Sequence, residues 1–442
     1  MTTRLLVEEL EYLDSPSAHM RSLSALRGCV CLDSAGGSHG SRFDILSALP
    51  NTILVNPSQN ELKAALEALG PTPLLPPEWK QNLPFIGGLV GYFNYEYLHD
   101  NKGIASRHST RRSSHCGVYD WALIRDHRDR RALAVFLPSC PTEKIGLVLQ
   151  ALRDPNPIPV QFHCSDFRFD ISLDHYRDAF DKIHRYIYAG DCYQINYAQH
   201  IDAEFSGSAL AAYLHLRQSL PGPYSAYLDL SDDKVLSFSP ECFVTVDEGL
   251  ARTRPIKGTA PRGATEIQDR ELAKALQQSE KNRAENVMIV DLLRNDFSIG
   301  CKPHSVQVPE LFALESFANV HHLVSTVVGE LAAEVSPIPF MLQCFPGGSI
   351  TGAPKLRAMQ IIDELETRAR NIYCGSIFYQ SLHGRLDSNV AIRTLLVHDD
   401  KIDIWGGGGI VADSNANDEY EESIKKIDVL LQSLISNSGV AI

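Results

Sequence analysis

The sequence predicts an α+β fold built on antiparallel sheets, and two observations carry that reading. Strand-like runs come in adjacent groups rather than in strict strand–helix alternation, which favours hairpins over parallel crossover units. The chain has 442 residues, 44% hydrophobic and 21% charged, a globular balance with enough length for a sizeable core and deep clefts.

Ahead of residue 153, short β-rich runs such as VYDWALIRD and RALAVFLP alternate with turn signals such as LPFIGGLVGYF. Residues 100–115 are polar and unpatterned and read as an exposed loop. Residues 153–166 carry three prolines and read as a linker. This divides the chain into a β-rich N-terminal subdomain, 1–152, and a larger C-terminal domain, 167–442. Beyond the linker, helices are expected over 174–189, 280–297, 354–370 and 418–436. Strands are expected over 225–247, 251–256, 375–382, 390–397 and 401–405. Neither repeats nor low-complexity segments are visible.

Composition narrows the function classes. There are 41 basic and 54 acidic residues, a net charge of −13, and no basic face, which argues against nucleic-acid binding. Ten cysteines are scattered without a CxxC pair, so neither a zinc site nor a redox couple is spelled. The start, MTTRLLVEELEYLD, lacks an apolar signal core, and no run reaches the ~18 apolar residues of a membrane span. A reduced cytoplasm is the expected compartment.

Several residues stand out as chemistry. On the 280–297 helix, Glu285 shares a stripe with Met288, Ile289 and Leu292, while Val287 and Val290 occupy the other side. A helix apolar nearly all round should be buried, and its carboxylate then needs a cation, a proton or a metal. On the last helix, Tyr420, Ile424, Ile427, Leu431 and Leu434 form the apolar stripe. Glu419, Glu422 and Lys426 share the opposite face, which reads as a solvated salt-bridge surface. Gly406 to Gly409 form a four-glycine run where backbone can approach a ligand. The run also fits GxGxxA, but it lacks the βαβ unit of a dinucleotide site. Around FPGGSITGAPK, Pro354 suits a first helical position capped by Gly352 or Thr351, a place where an anion could sit. Lys257 lies between a strand and a glycine turn; solvated it is an ordinary loop lysine, and in a dry pocket its pKa would fall and it could act as a nucleophile. Glu241 ends a strand beside Pro240 and is a candidate acid. His321 and His322 point to different faces of any regular element and make a poor chelating pair.

Seven strings occur in order across roughly residues 175–430: GDCYQINYAQ, SFSPECF, RTRPIKGTAPRG, AENVMIVDLLRND, FPGGSITGAPKLRAMQIIDELE, GGGGIVADS and EYEESIKK. Together they resemble the chorismate-utilising enzymes, whose branches make anthranilate, aminodeoxychorismate, isochorismate and salicylate. The resemblance implies two large packed antiparallel β-sheets with helices on the outside. Lys257 in PIKGT, where the anthranilate branch typically has alanine, is similar to the branch that aminates C4 of chorismate. Gln194 replaces the lysine that activates water in the isochorismate and salicylate branch.

The resemblance further implies a set of roles. Lys257 would be the nucleophile and Glu241 the general acid. Mg²⁺ would be held by Glu285 and Glu422, with Glu419 nearby. Substrate would be contacted by Gly258, Thr259, His322, Ser349, Tyr373, Arg393, Gly407, Gly408, Gly409 and Lys426. Ammonia would come from a separate glutamine amidotransferase subunit, since Cys29 and Cys31 do not fit a glutaminase nucleophile loop. The product would be 4-amino-4-deoxychorismate, on the way to 4-aminobenzoate and folate. The alternatives are an anthranilate-forming enzyme and a non-catalytic chorismate or tryptophan sensor. Ser34, Ser41, Arg42, Phe43, Pro223, Tyr224 and Ser225 roughly match a tryptophan pocket of the family.

Overall fold

In a computed structural model, residues 4–35, 41–76, 79, 83–153, 161–317 and 320–436 are described. They form two antiparallel sheets, of 13 and 10 strands. The larger runs from the edge strand Leu6–Leu10 through Val30–Asp33, Tyr224–Asp229, Lys234–Ser239, Thr394–His398 and Lys401–Ile410 to the long strand Gln194–Gly207. The smaller carries Ile256–Pro261 and Val320–Glu330 near one end, Cys242–Asp247 in the middle, and Gly88–Phe93 and Thr52–Val55 toward the other. One apolar core joins the inner faces of both sheets, with Val30 and Ile45 from the larger and Leu89 and Phe378 from the smaller. A second core packs the outer face of the larger sheet against helices Ser17–Ser24, Thr142–Arg153, Ala209–Ser219 and Asp428–Ser436. The expected α+β architecture of two packed antiparallel sheets is the one found.

Both sheets draw strands from either side of the 153–166 seam: Val30–Asp33 pairs with Tyr224–Asp229, and Gly88–Phe93 with Ser376–Ser381. Within that seam, 154–160 lies outside the described residues, and Phe162–Cys164 is a strand on Gln194–Gly207 rather than linker. The 100–115 stretch is not a free loop. Arg112 reaches Asp233 at 2.6 Å, and its amide donates to Asn371 Oδ1. The stretch is irregular over 103–114 and many of its residues are exposed, as expected, but these contacts anchor it to the rest of the protein.

Three helices depart from expectation. Glu280–Gly300 is half exposed rather than buried all round, with Val287 49% and Ile299 63% accessible. The 354–370 helix stops at Leu365, and Pro354 precedes its first turn instead of occupying it. Gly352 pairs in the sheet with Ile195, and the Thr351 hydroxyl donates to Gly347 O, so neither caps a helix. The C-terminal helix is two, Ala416–Lys425 and Asp428–Ser436. Strand boundaries shift also. The Lys401–Ile410 strand continues through all four glycines, and a separate strand, Leu386–Asn389, precedes Thr394–His398.

Candidate active site

Lys257 projects from the strand Ile256–Pro261, which is an edge of the smaller sheet. Gly258 behind it has φ +93°, and a Cβ there would stand 3.0 Å from both Asn282 and Leu276. Glycine therefore lets this strand turn against the long helix. The short turn Gly348–Ile350 presents Ser349 to two functional groups at once. Its carbonyl accepts a hydrogen bond from Lys257 Nζ at 3.0 Å, and its hydroxyl donates to Glu241 Oε1 at 2.9 Å. Burial pushes the Lys257 pKa below its ordinary value, against the pull of Glu241, Glu285 and Glu422. Burial pushes the Glu241 carboxyl above its ordinary value, against Lys257 and the Ser349 hydroxyl. Each shift is in the direction of the neutral form of its group.

An acidic wall faces this pair. Glu285 comes from the long helix, and Glu419 and Glu422 from Ala416–Lys425. Glu419 is only 6% exposed, not on a solvated face; Ser414 donates to it at 2.7 Å, and burial raises its pKa. Glu422 stands 2.8 Å from Lys426, and although burial alone would raise its carboxyl, Lys426, Lys281 and Lys257 hold it below the ordinary range. Lys281, one turn before Glu285, is a cation of this wall that sequence reading passed over. These carboxylates are hard oxygen donors of the type Mg²⁺ takes, and Gly408 keeps their corner open: a Cβ there would meet Glu419 Oε2 at 3.2 Å and Lys426 Nζ at 3.5 Å. The donor chemistry of these glutamates suits a magnesium ion, while their oxygens do not gather within 4.8 Å of one another and Glu422 is paired with Lys426. Elsewhere, Asp170, His200 and Asp202 bring ligand atoms within 4.8 Å, but Arg168, Lys401 and Arg368 already neutralise those carboxylates.

The opposite wall is the glycine strand. It pairs with Gln194–Gly207 along its length but with Thr394–His398 only as far as Ile404. Beyond Ile404 this second edge has no strand partner among the described residues, and Gly407 O accepts from Lys426 Nζ at 3.1 Å. Side chains at two of these positions would collide. A Cβ at Gly407 would lie 2.8 Å from the Tyr373 hydroxyl, and one at Gly409 would lie 2.7 Å from Gln194 Nε2. Buried Tyr373 stacks on Trp405 with planes 9° apart. Gln194 Oε1 and Asn196 Nδ2 are buried without a hydrogen-bond partner among the described residues. Buried polar atoms normally find partners, so these mark space for a polar ligand or water.

Arg393 has φ +50°, and its half-buried guanidinium makes neither an ion pair nor a hydrogen bond with the described residues; burial lowers its pKa. His322 Nδ1 lies 2.9 Å from Thr259 Oγ1, whereas His321 faces Ser316 and Asp269, so the adjacent histidines do diverge. The structure brings Lys257, Glu241 and Ser349 into one hydrogen-bonded unit and sets Glu285 and Glu422 in the field of that lysine.

The seven residues matched to a tryptophan pocket lie in a separate place. They surround the meeting of Val30–Asp33, Phe43–Ser47 and Tyr224–Asp229. Ser34 is committed to Asp44 at 2.7 Å, Arg42 to Asp126 at 2.6 Å, and Ser41 reaches Pro223 O at 3.5 Å. Ser225 sits opposite Asp33 in the ladder. Sequence reading also missed Glu366 and Arg370, assigned to the tail of a helix. They form a buried ion pair at 2.6 Å behind the Gly348–Ile350 turn. Their i,i+4 spacing was the available signal, but it is equally that of a surface pair.

A protein-family profile described as chorismate binding enzyme matches residues 31–432. The chain belongs to that family of enzymes. It is 40% identical to aminodeoxychorismate synthase component 1 of Klebsiella aerogenes, over 96% of this chain and 97% of that one. It is 38% identical to the Escherichia coli K12 protein of the same name, over 95% and 96%. Anthranilate synthase component 1 of Aquifex aeolicus is 35% identical over 81% of this chain and 76% of its own. Among solved structures, anthranilate synthase component I of Streptococcus pneumoniae superposes with a TM-score of 0.78 at 30% identity, covering 89% of this chain and 93% of its own.

Proposed function

We propose that this enzyme converts chorismate and ammonia to 4-amino-4-deoxychorismate, the synthase half of aminodeoxychorismate formation. The observation that carries the reading is the Lys257–Ser349–Glu241 unit, an amine and an acid both biased toward neutrality on one turn. An amination that only replaces one ring substituent by ammonia directly has no use for a buried amine. A two-step substitution does.

The Lys257 nitrogen attacks C2 of the ring. The C2–N bond forms, the two ring double bonds shift, and the C4–O bond breaks as Glu241 gives its proton and water departs. Ammonia then bonds to C4, the double bonds return, and the C2–N bond breaks with its electron pair going back to Lys257. The nitrogen proton of the new ammonium is lost to the Glu241 carboxylate, which resets the acid. Arg393 and the open edge at Gly407 to Gly409 hold the enolpyruvyl carboxylate, with Tyr373 closing the end. Thr259 and His322 lie on the ring side. Glu285 and Glu422, with Glu419 beside them, would hold Mg²⁺, which supplies positive charge that binds the ring carboxylate and draws electron density from the ring.

We further propose that ammonia arrives from a separate glutaminase subunit, in keeping with the "component 1" names of the relatives, and that the enzyme works in the cytoplasm. Among the described residues no helix is long and apolar enough to cross a membrane, and all ten cysteines are free and buried. Tryptophan is the proposed ligand of the Ser34–Phe43–Tyr224 region.

The test is incubation with chorismate, Mg²⁺ and an ammonium salt. The expected product yields 4-aminobenzoate only after a lyase is added. Anthranilate fluorescence without the lyase would assign the chain to the other amination instead. Binding of chorismate by calorimetry with no turnover would make it a sensor. For the metal residues, Glu285→Gln should raise the Mg²⁺ concentration needed for half-maximal rate; an unchanged titration would place the ion elsewhere.

A further inference from the structure

Behind the reacting groups lies a guanidinium that touches neither substrate space nor Lys257. Arg370 is 1% exposed. Its Nε and Nη2 bind Glu366 at 2.9 and 2.6 Å, Nη1 donates to Ile350 O at 2.9 Å, and Nη2 donates to Asn196 O at 2.5 Å. Glu366 in turn accepts from the amide of Ala198 at 2.8 Å. The guanidinium also lies 4.7 Å above the Tyr95 ring and 5.8 Å from the ring of Tyr373. The main chain of Arg370 is itself fixed, with its amide donating to Glu96 Oε1 at 2.7 Å and its carbonyl accepting from Tyr373 N at 2.9 Å.

Those partners are the two sides of the cavity. Ile350 ends the turn whose middle residue, Ser349, holds both Lys257 Nζ and Glu241. Asn196 and Ala198 lie on Gln194–Gly207, the strand paired with the glycine strand, opposite Gly409 and Gly407. We infer that Arg370, fixed by Glu366, is a positioning residue that sets the spacing between the Lys257–Glu241 turn and the glycine wall. This rests on the reaction proposed above but acts one layer behind it. The planar fork meets two carbonyls and a carboxylate from three separate nitrogens set around one plane. An ammonium also has three donors, but all sit on one atom, so a lysine at this position cannot keep contact with acceptors spaced to match the separate nitrogens of the guanidinium. A misplacement of about 1 Å in a reacting group can lower a rate by ~10²-fold.

Arg370→Lys is the test, with Glu366→Gln as the milder variant, which keeps the guanidinium but weakens its anchor. Arg125→Lys, at a buried ion pair of the N-terminal strands, is the control for general loss of stability. Three quantities are read: kcat and KM with chorismate and ammonium, melting temperature, and the pH dependence of Lys257 acylation by trace acetic anhydride, followed by mass spectrometry of its peptide. We expect kcat to fall 10- to 100-fold in Arg370→Lys with KM within about threefold. Glu366→Gln should fall several-fold in the same direction. Burial is the main cause of the low Lys257 pKa, so a loosened turn that admits water moves its acylation midpoint upward. Arg125→Lys should lower melting temperature and leave kcat per folded molecule and that midpoint unchanged. A brace that serves stability alone would give a lower melting temperature, an unmoved midpoint and kcat within twofold, and would overturn the inference. If Arg370→Lys does not fold, Glu366→Gln decides by the same readings. Acylation needs no substrate, so it still judges the positioning role if wild-type enzyme fails to turn chorismate over and the functional reading falls alone.

Discussion

Asp44 is a fully buried charge and Arg393 a half-buried one, and their surroundings differ in kind. Asp44 is fully buried, and its carboxylate takes the amide and hydroxyl of Ser34, Nε2 of His127 at 2.9 Å and the Arg125 guanidinium. Next to it, Asp33 accepts from Tyr213 at 3.0 Å, from Arg217 and from the amide of Ala35. Both carboxylates of this N-terminal cluster find cations and hydrogen-bond donors. In the cavity, Arg393 has no acceptor among the described residues, Lys257 holds only a carbonyl, and Gln194 and Asn196 leave polar atoms unmatched. Leaving a buried polar group unpaired costs about 1–3 kcal/mol, more for a charge. The fold accepts that cost in the cavity and avoids it at Asp33 and Asp44. Charge closed within the protein stabilises it, and charge left open waits for a ligand.

The sharpest way to separate the two regions is to remove one cation from each. Lys257→Ala should cut turnover by at least about 10³-fold, because the covalent route is lost, while the melting temperature holds or rises. Intact mass of wild-type enzyme with chorismate and no ammonia should show an adduct that the variant lacks. An adduct in both would mean another nucleophile. Arg125→Leu should do the reverse. It strands Asp44 in a dry core and should cost roughly 3–5 kcal/mol by denaturant titration, with turnover per folded molecule unchanged. The pH dependence follows from the same contacts. Burial alone would raise the Asp44 pKa, but His127, Arg125 and Ser34 hold it below the ordinary value of 3.8. Its contribution is therefore complete above that value and disappears as pH falls through the lower folded pKa. Acid titration of stability in wild type should show this loss, and in Arg125→Leu it should shrink.

Arg393→Gln probes the open charge at smaller cost. A dicarboxylate that meets this guanidinium loses a charge-assisted pair, so KM for chorismate should rise roughly 10- to 100-fold with kcat less affected. Stability should be unchanged or improved, since the residue has no protein partner to strand. Equal loss in kcat with no change in KM would remove Arg393 from carboxylate binding.

This contrast also explains what the sequence could and could not reveal. Strand groups, the long helix at Glu280–Gly300 and the antiparallel class were legible because period and length are local properties. Lys257 and Glu241 stood out only through the family resemblance that PIKGT and SPECF carry, and the structure holds both on Ser349. By periodicity alone Glu419 belonged to a solvated face. Its burial comes from the glycine strand and the helix Leu173–Tyr188 packing against its own helix, a tertiary fact with no local sign. Arg370 and Glu366 were hidden for the same reason: a pair that closes on itself within a core has the spacing of one on a surface. The loop at 100–115 shows the converse, since polar residues that bond one another look like polar residues that bond water.

The smallest of the expected effects tests how the open region tunes itself. Ser349→Ala removes the hydroxyl that donates to Glu241 Oε1 and leaves the carbonyl that holds Lys257. That donor favours the ionised carboxylate, so its loss should push the Glu241 pKa further up. Departure of the C4 oxygen needs Glu241 protonated, so rate falls as pH rises through that pKa. The alkaline limb of kcat should therefore move to higher pH in the variant, with only a several-fold change at the optimum. A limb that stays in place, with kcat reduced at every pH by one factor, would mean that Ser349 only shapes the turn and that Glu241 owes its proton to burial alone.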